Sequence, residues 1–304
     1  MMHYDVFNGD ADGILSLVQL RLEKPKESIL VTGVKRDINL LKKISDRVED
    51  NDEITVLDVS MEKNVDALTT ILKSGAKVLY ADHHRAGVMP EFDNLSAYID
   101  LDPNTCTALI VDKLLNGNQH LWAIAAAYGD NLIAVADELT EKAKLSSEQA
   151  EQLKELGTLV NYNGYGETLD DLHFTPSDLF LSLVKYKSPF DCIGDSQSVY
   201  HQLKKAYDKD LQQIKSAKVL SDETNLLAIE LEDAPWARRI SGVYGNQLAN
   251  ENPDKAILVF TKNSSVQNSS ESYRVSLRAP INNKQGAGDI CSQFLTGGGR
   301  AAAA

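Results

Sequence analysis

Over the first hundred residues, short β-branched and aromatic runs alternate with longer segments whose apolar positions recur at helical spacing. This predicts strands at residues 4–7, 29–32, 54–57 and 77–81, and helices from about residue 12, near 38–48 and near 65–73. Parallel strands can be joined only by a crossover, so the strand–helix rhythm implies an α/β fold: a parallel sheet with flanking helices. From residue 105 to about 203 the pattern turns helical, most clearly at 108–115, 121–127, 146–156 and 177–184. The charged stretch 204–218 reads as a solvated connecting helix, followed by a second β-rich set at 226–230, 256–261 and 273–278. The expected organisation is a first α/β domain over 1–205, a connector over 206–220 and a smaller α/β domain over 221–304. The terminal alanines 301–304 read as a weak helix end or fragment, stopping before the strand expected next.

Composition narrows the class. The 304 residues are 43% hydrophobic and 25% charged, as in a soluble globular protein with room for two cores. No run of about 18 apolar residues occurs, and the start MMHYDVFNGD lacks the basic and apolar regions of a signal peptide, so a cytoplasmic protein without membrane association is expected. Cys106, Cys192 and Cys291 are odd in number and far apart, which speaks against a disulfide framework or a thiolate zinc site. A net charge of −13 disfavours long nucleic acid, whose binding needs a broad basic surface. A short anionic ligand remains compatible if metal ions and a few arginines hold it locally.

Parallel sheets bind ligands at the carboxyl ends of their strands, and the acids and histidines fall there. Asp10 and Asp12 follow the first strand, Asp58 follows 54–57, and Asp82-His83-His84 follows 78–81. Paired carboxylates in a tight turn suit divalent cations, although D-x-D-G alone is more often a solvated turn. Asp58 reads equally as a metal bridge or as a helix cap before Glu62. Adjacent imidazoles beside a carboxylate suit transition metals, the acid orienting a ring, with a solvated loop as the alternative. Asp130, in AAAYGDN, reads by itself as a helix cap.

Together, D-x-D, Asp, D-H-H and Asp in that order resemble the four motifs of the DHH phosphoesterase superfamily. The resemblance implies a site for two divalent ions, usually Mn²⁺, in a DHH domain with a smaller associated domain. On matching positions, Asp10 would bind one ion, Asp12, His83 and Asp130 the other, and Asp58 would bridge. His84 would face the scissile phosphate and Asp82 would steady the histidine pair. One departure is visible: Val6 stands where many members place a metal-binding histidine, with Asn8 where others have Asn or Asp. The first ion is then held more weakly, or is completed by water or another side chain.

On the substrate side, Gly297-Gly298-Gly299-Arg300 is alone a flexible loop more often than a site, yet a glycine run admits close backbone approach and arginine grips phosphate. It follows a helix-like stretch at 288–295 and resembles the glycine motif of the associated domain. Ser276-Leu277-Arg278 resembles that domain's strand with a phosphate-binding arginine, the alternative for Arg278 being a surface charge. Arg238 and Arg239 beside Trp236 read as a solvated face before a phosphate grip. Thr105, Cys106 and Thr107 open a helix whose N-terminus suits either phosphate or simple capping. NYNGYG at 161–166 reads as a structural loop.

The function expected from the resemblance is two-metal hydrolysis of linear dinucleotides (pGpG-type, as in cyclic-di-GMP degradation) or of nanoRNA, by an activated water. Phosphomonoesterase action on pAp and a catalytically weak nucleotide-binding regulator are the alternatives. The expected partner is a short linear RNA or dinucleotide, and a homodimer is left open.

Overall fold

The computed structural model describes residues 1–263 and 272–304. They divide into two compact units, Met1–Lys204 and Lys205–Ala304.

The first unit opens with β1 (His3–Phe7), α1 (Ala11–Glu23), β2 (Ile29–Val31), β3 (Glu53–Leu57), α2 (Met61–Lys73), β4 (Lys77–Asp82) and β5 (Leu95–Ile99). The sheet is wholly parallel, in the order β2-β1-β3-β4-β5. Because β2 and β3 lie on opposite sides of β1, the winding reverses there, and such reversals open a crevice at the carboxyl strand ends. On one face Tyr4, Val6, Ile54, Val56, Val78 and Tyr80 pack with Leu68, Ile71 and Leu72 of α2. Helices α3 (Thr107–Leu114), α4 (His120–Gly129), α5 (Ile133–Lys142), α6 (Ser147–Gly164), α7 (Pro176–Leu183) and α8 (Pro189–Gly194) complete the unit, and α9 (Val199–Gln213) leads out of it.

Helix α1 is buried on every side from Ala11 to Arg21. Its polar residues therefore need partners, since an unpaired buried polar group costs on the order of 1–3 kcal/mol. Arg21 pairs with Asp5 of β1, and the Gln19 amide donates to the Leu15 and Ala108 carbonyls. Asp12 is satisfied by α3, as described below.

The second unit contains β6 (Lys218–Asp222), β7 (Leu226–Leu231), α10 (Pro235–Glu251), β8 (Ala256–Asn263), β9 (Ser272–Arg278) and α11 (Ala287–Cys291). Its sheet runs β6-β7-β8-β9, with only β7 and β8 parallel.

Several expectations need correction. Residues 38–48 form one 3-10 turn, Leu40–Lys43, instead of a helix. The Asn64 side chain donates to the Ile38 carbonyl at 2.7 Å and accepts from the Leu41 N–H at 3.2 Å, and this pairing takes backbone groups out of an α-helical ladder. The helix expected over 288–295 ends at Cys291, leaving Phe294 and Leu295 exposed. The terminal alanines are not helical: Ala304 exchanges backbone hydrogen bonds with Leu277 at 2.7 and 3.0 Å, and the Ala302 carbonyl accepts from the Ala279 N–H at 2.9 Å, along the β9 edge. The unforeseen strands β5 and β6 are mostly exposed, so neither carries the apolar alternation that reveals a strand.

Candidate metal centre

The centre begins in the turn after β1. Asn8 Oδ1 accepts from the Asp10 N–H at 3.2 Å, and Asp10 Oδ1 accepts from the Gly13 N–H at 3.1 Å, making Asp10 the N-cap of α1. The turn is close-packed: a Cβ on Gly13 would lie 2.3 Å from the Asn8 carbonyl oxygen, and one on Gly9 would lie 2.0 Å from that of Gly33. Asp12, one residue into the helix, directs both oxygens at α3. The Thr107 and Ala108 N–H groups donate to them at 2.8 and 2.7 Å. The helix N-terminus that could have held phosphate is thus filled by Asp12.

Asp58 follows β3 in the left-handed region, at φ 58°, a conformation Asp tolerates better than most residues and one concentrated at functional sites. It caps no helix; Ser60 stands at the N-cap of α2. Its Oδ1 lies 3.4 Å from His83 Nε2 and accepts from the Thr107 hydroxyl at 3.3 Å. Asp12 Oδ2 lies 3.5 Å from the same His83 nitrogen. Opposite, His83 Nδ1 lies 2.9 Å from the Thr105 carbonyl oxygen, which can only accept; Nδ1 therefore carries the proton and Nε2 is the atom offered to the acids.

His84 is held by Asp82, whose Oδ1 accepts from its Nδ1 at 2.7 Å. Its side chain keeps 31% of its exposure while Asp82 is buried, so His84 is the member of the pair accessible from solvent. Asp82 Oδ2 is buried with no hydrogen-bond partner among the described residues. Asp58, His83 and His84 each bring a ligand atom within 4.8 Å of the others. Asp130 is the C-cap of α4, and its charge acts on Asp12 and Asp58.

The electrostatics call for a cation. Burial, then the charge of Asp58, push Asp12 up to about 8, against the pull of His83. Burial and the Asp10 charge likewise raise Asp58 well above the usual carboxylate range. Asp82 stands low despite its burial, because both histidines favour its ionised form. Crowded buried acids beside imidazole nitrogens form an oxygen–nitrogen donor set that suits divalent transition-metal binding. Asp12, Asp58 and His83 would hold an ion, with Asp130 nearby.

Asp10 adjoins that set, in side-chain hydrogen-bond contact with Asp58, and its Oδ2 also accepts from Lys35 Nζ at 2.5 Å. Burial would raise Asp10, but the Lys35 charge holds it below the usual carboxylate range. Lys35 was not singled out in the sequence. Its one signal there is position, as a basic residue in the loop after β2 at the same sheet edge. The 161–166 segment is not the expected loop: residues 161–164 are the last turn of α6 and Tyr165 is its C-cap, and here Asn161 Oδ1 accepts from Lys35 Nζ at 3.3 Å while the Tyr165 ring lies 5.1 Å from that nitrogen.

In the second unit Arg278 is buried at 7% exposure. It donates to Asn246 Oδ1 at 2.6 Å, Ser276 Oγ at 2.9 Å and the Leu277 and Gly242 carbonyls, so it is neither a surface charge nor an open phosphate grip. Arg239 is not part of a solvated face: it forms a buried ion pair with Asp210 at 2.8 Å. Arg238 pairs with Asp233 and Trp236 donates to Glu232. Gly297, Gly298 and Gly299 are exposed, and Arg300 is half-buried, its N–H bonded to the Ala303 carbonyl at 2.8 Å.

No family model and no curated protein matches the chain. Solved structures do. A DHH domain described as a member of the S1p family of ribosomal proteins matches with a TM-score of 0.58 at 13% identity, covering 99% of this chain and 82% of that one. The chain has the DHH fold. The exonuclease RecJ bound to manganese gives a TM-score of 0.56 at 12% identity, over 99% of this chain and 84% of the other. RecJ of Thermus thermophilus with Mn²⁺ gives 0.53 at 11% identity, over 99% of this chain but 48% of that longer one. In this chain's DHH fold, Asp12 of α1 and Asp58 after β3 both approach His83 Nε2, which follows β4.

Proposed function

We propose that the chain is a divalent-metal-dependent phosphodiesterase that hydrolyses short linear substrates, pGpG-type dinucleotides or nanoRNA, to mononucleotides. The observation that carries this reading is the convergence of Asp12 and Asp58 on His83 Nε2 at the switch point of a parallel sheet, with His84 at the accessible edge. The manganese-bound exonuclease of like fold supports the same chemistry. When bound, a divalent ion supplies Lewis acidity: it lowers the pKa of water and neutralises charge on phosphoryl oxygens.

The protein's own groups do the rest. Thr105 fixes the His83 tautomer so that Nε2 is available, and Thr107 and Ala108 fix the Asp12 oxygens. Asp82 holds His84 through Nδ1, which orients the partly exposed imidazole that would face the scissile phosphate. In this reading the first unit is the catalytic domain. The 297–300 loop, whose glycines are exposed, is the candidate substrate contact of the second unit. A net charge of −13 disfavours long polyanions and supports a short substrate.

The test incubates the purified chain and Mn²⁺ with 5′-labelled pGpG, pApA, a five-nucleotide RNA and pAp, resolving products by length. Rapid loss of both dinucleotides with the others spared is expected. Preferential release of inorganic phosphate from pAp would replace the reading with a phosphomonoesterase, and no turnover of any substrate would leave a nucleotide-binding protein.

A further inference from the structure

We propose that Lys35 stands where a second divalent ion would bind, so that this centre takes one metal ion and uses the Lys35 ammonium as its other positive charge. The inference rests on the metal-dependent reading above. Both Asp10 oxygens are already engaged, Oδ1 by the Gly13 N–H at 3.1 Å and Oδ2 by Lys35 Nζ at 2.5 Å. Among the described residues, the ligand atoms that cluster within 4.8 Å come from Asp58, His83 and His84, with Asp12 reaching only His83 Nε2, at 3.5 Å, and Asp10 tied to Lys35. Val6, on the strand leading to Asp10, is 1% exposed within the apolar cluster and offers no ligand.

Lys35 is held in place at several points, as a structural cation would be. Its backbone N–H donates to the Gly164 carbonyl at 2.9 Å, and its own carbonyl accepts from Asn8 Nδ2 at 3.1 Å. Its Nζ donates to Asp10 and, at 3.3 Å, to Asn161, over the Tyr165 ring. Asn8 therefore ties Asp10 and Lys35 to the same turn, because its Oδ1 accepts from the Asp10 N–H. An ammonium has three donors. The third meets no acceptor among the described residues, and the side chain is 25% exposed, so a phosphoryl oxygen can take it. Such a group neutralises charge but has no coordination vacancy with which to acidify water. Water activation is left to the side of Asp12, Asp58 and His83.

The decisive experiment strips the full-length chain with a chelator, titrates it with Mn²⁺ by calorimetry and records low-temperature electron paramagnetic resonance spectra. The wild type and Lys35→Arg are expected to bind one Mn²⁺ per chain and to show an isolated ion. Lys35→Met, which keeps the stem and removes the charge, is expected to bind two and to show exchange coupling. Two coupled ions in the wild type would overturn the inference while sparing the metal-dependent reading, and that result does not depend on any variant folding. A folded Lys35→Met that still binds one ion would overturn it as well. No Mn²⁺ bound by the wild type would remove the metal-dependent reading, and this inference with it.

Discussion

Replacing Asp58 by Asn should stabilise the metal-free protein and destabilise it, relative to wild type, when Mn²⁺ is present. The Asp58 and Asp12 oxygens each lie within 3.5 Å of His83 Nε2, so they are at most about 7 Å apart, where two unit charges at an effective dielectric of ~20 repel by about 2 kcal/mol; burial and this repulsion raise both acids, so protonation at neutral pH relieves part of it and about 2 kcal/mol is the upper bound on what Asn recovers. Asn keeps the shape, tolerates φ 58° and can still accept from the Thr107 hydroxyl, so the change removes chiefly charge. For a unit of this size, that upper bound corresponds to a rise in Tm of at most ~4–8 °C in chelator. Mn²⁺ at a hundred times its Kd adds about 2.7 kcal/mol to a protein that binds it only when folded. The wild type should gain that increment and Asp58→Asn should lose most of it, so that the order of the two melting temperatures reverses. Differential scanning calorimetry of both proteins, with chelator and with Mn²⁺, measures all four values. A variant less stable than wild type in chelator would refute the reasoning, since it would make Asp58 a structural residue whose hydrogen bonds outweigh the repulsion.

Other consequences are equally direct. Arg239→Met would leave the buried Asp210 carboxylate without its guanidinium and should cost about 3–5 kcal/mol in urea unfolding; a cost under 1 kcal/mol would mean the pair is solvated. Gly13→Ala drives a methyl group to 2.3 Å from the Asn8 carbonyl oxygen, so it should cost on the order of 1–3 kcal/mol and abolish Mn²⁺ binding, as calorimetry would show. The hydrogen bond to Asp112, opposed by partial burial, raises the His120 pKa above its ordinary 6.5. A raised folded-state pKa stabilises fully below the unfolded value and is lost as pH rises through the folded one. The stability gap between wild type and His120→Gln should therefore be larger at about pH 5.5 than at about pH 9, and a flat difference would count against the pair.

The fold class, and the acids and histidines at the strand ends, were legible in the chain itself. Hydrophobic runs such as Ile54–Leu57, each followed by an acid or histidine, report both a buried parallel strand and what lies at its end, because the strand period and the strand-end loop are local properties. The same locality explains the misreadings. Residues 38–48 have helical apolar spacing, but Asn64, on another element, takes their backbone groups. Arg239 and Arg278 look like surface charges until the second unit folds and buries them against Asp210 and Asn246. The alanines at 301–304 have no strand signal of their own and are ordered by the β9 edge they pair with. Lys35 marks the limit most clearly. Nothing in its neighbourhood along the chain distinguishes it from any other lysine in a loop, and its role comes from Asp10, Asn161 and Tyr165. A charge acquires its partner, and so its function, only through contacts between residues distant in sequence, and those exist only once the sheet has assembled.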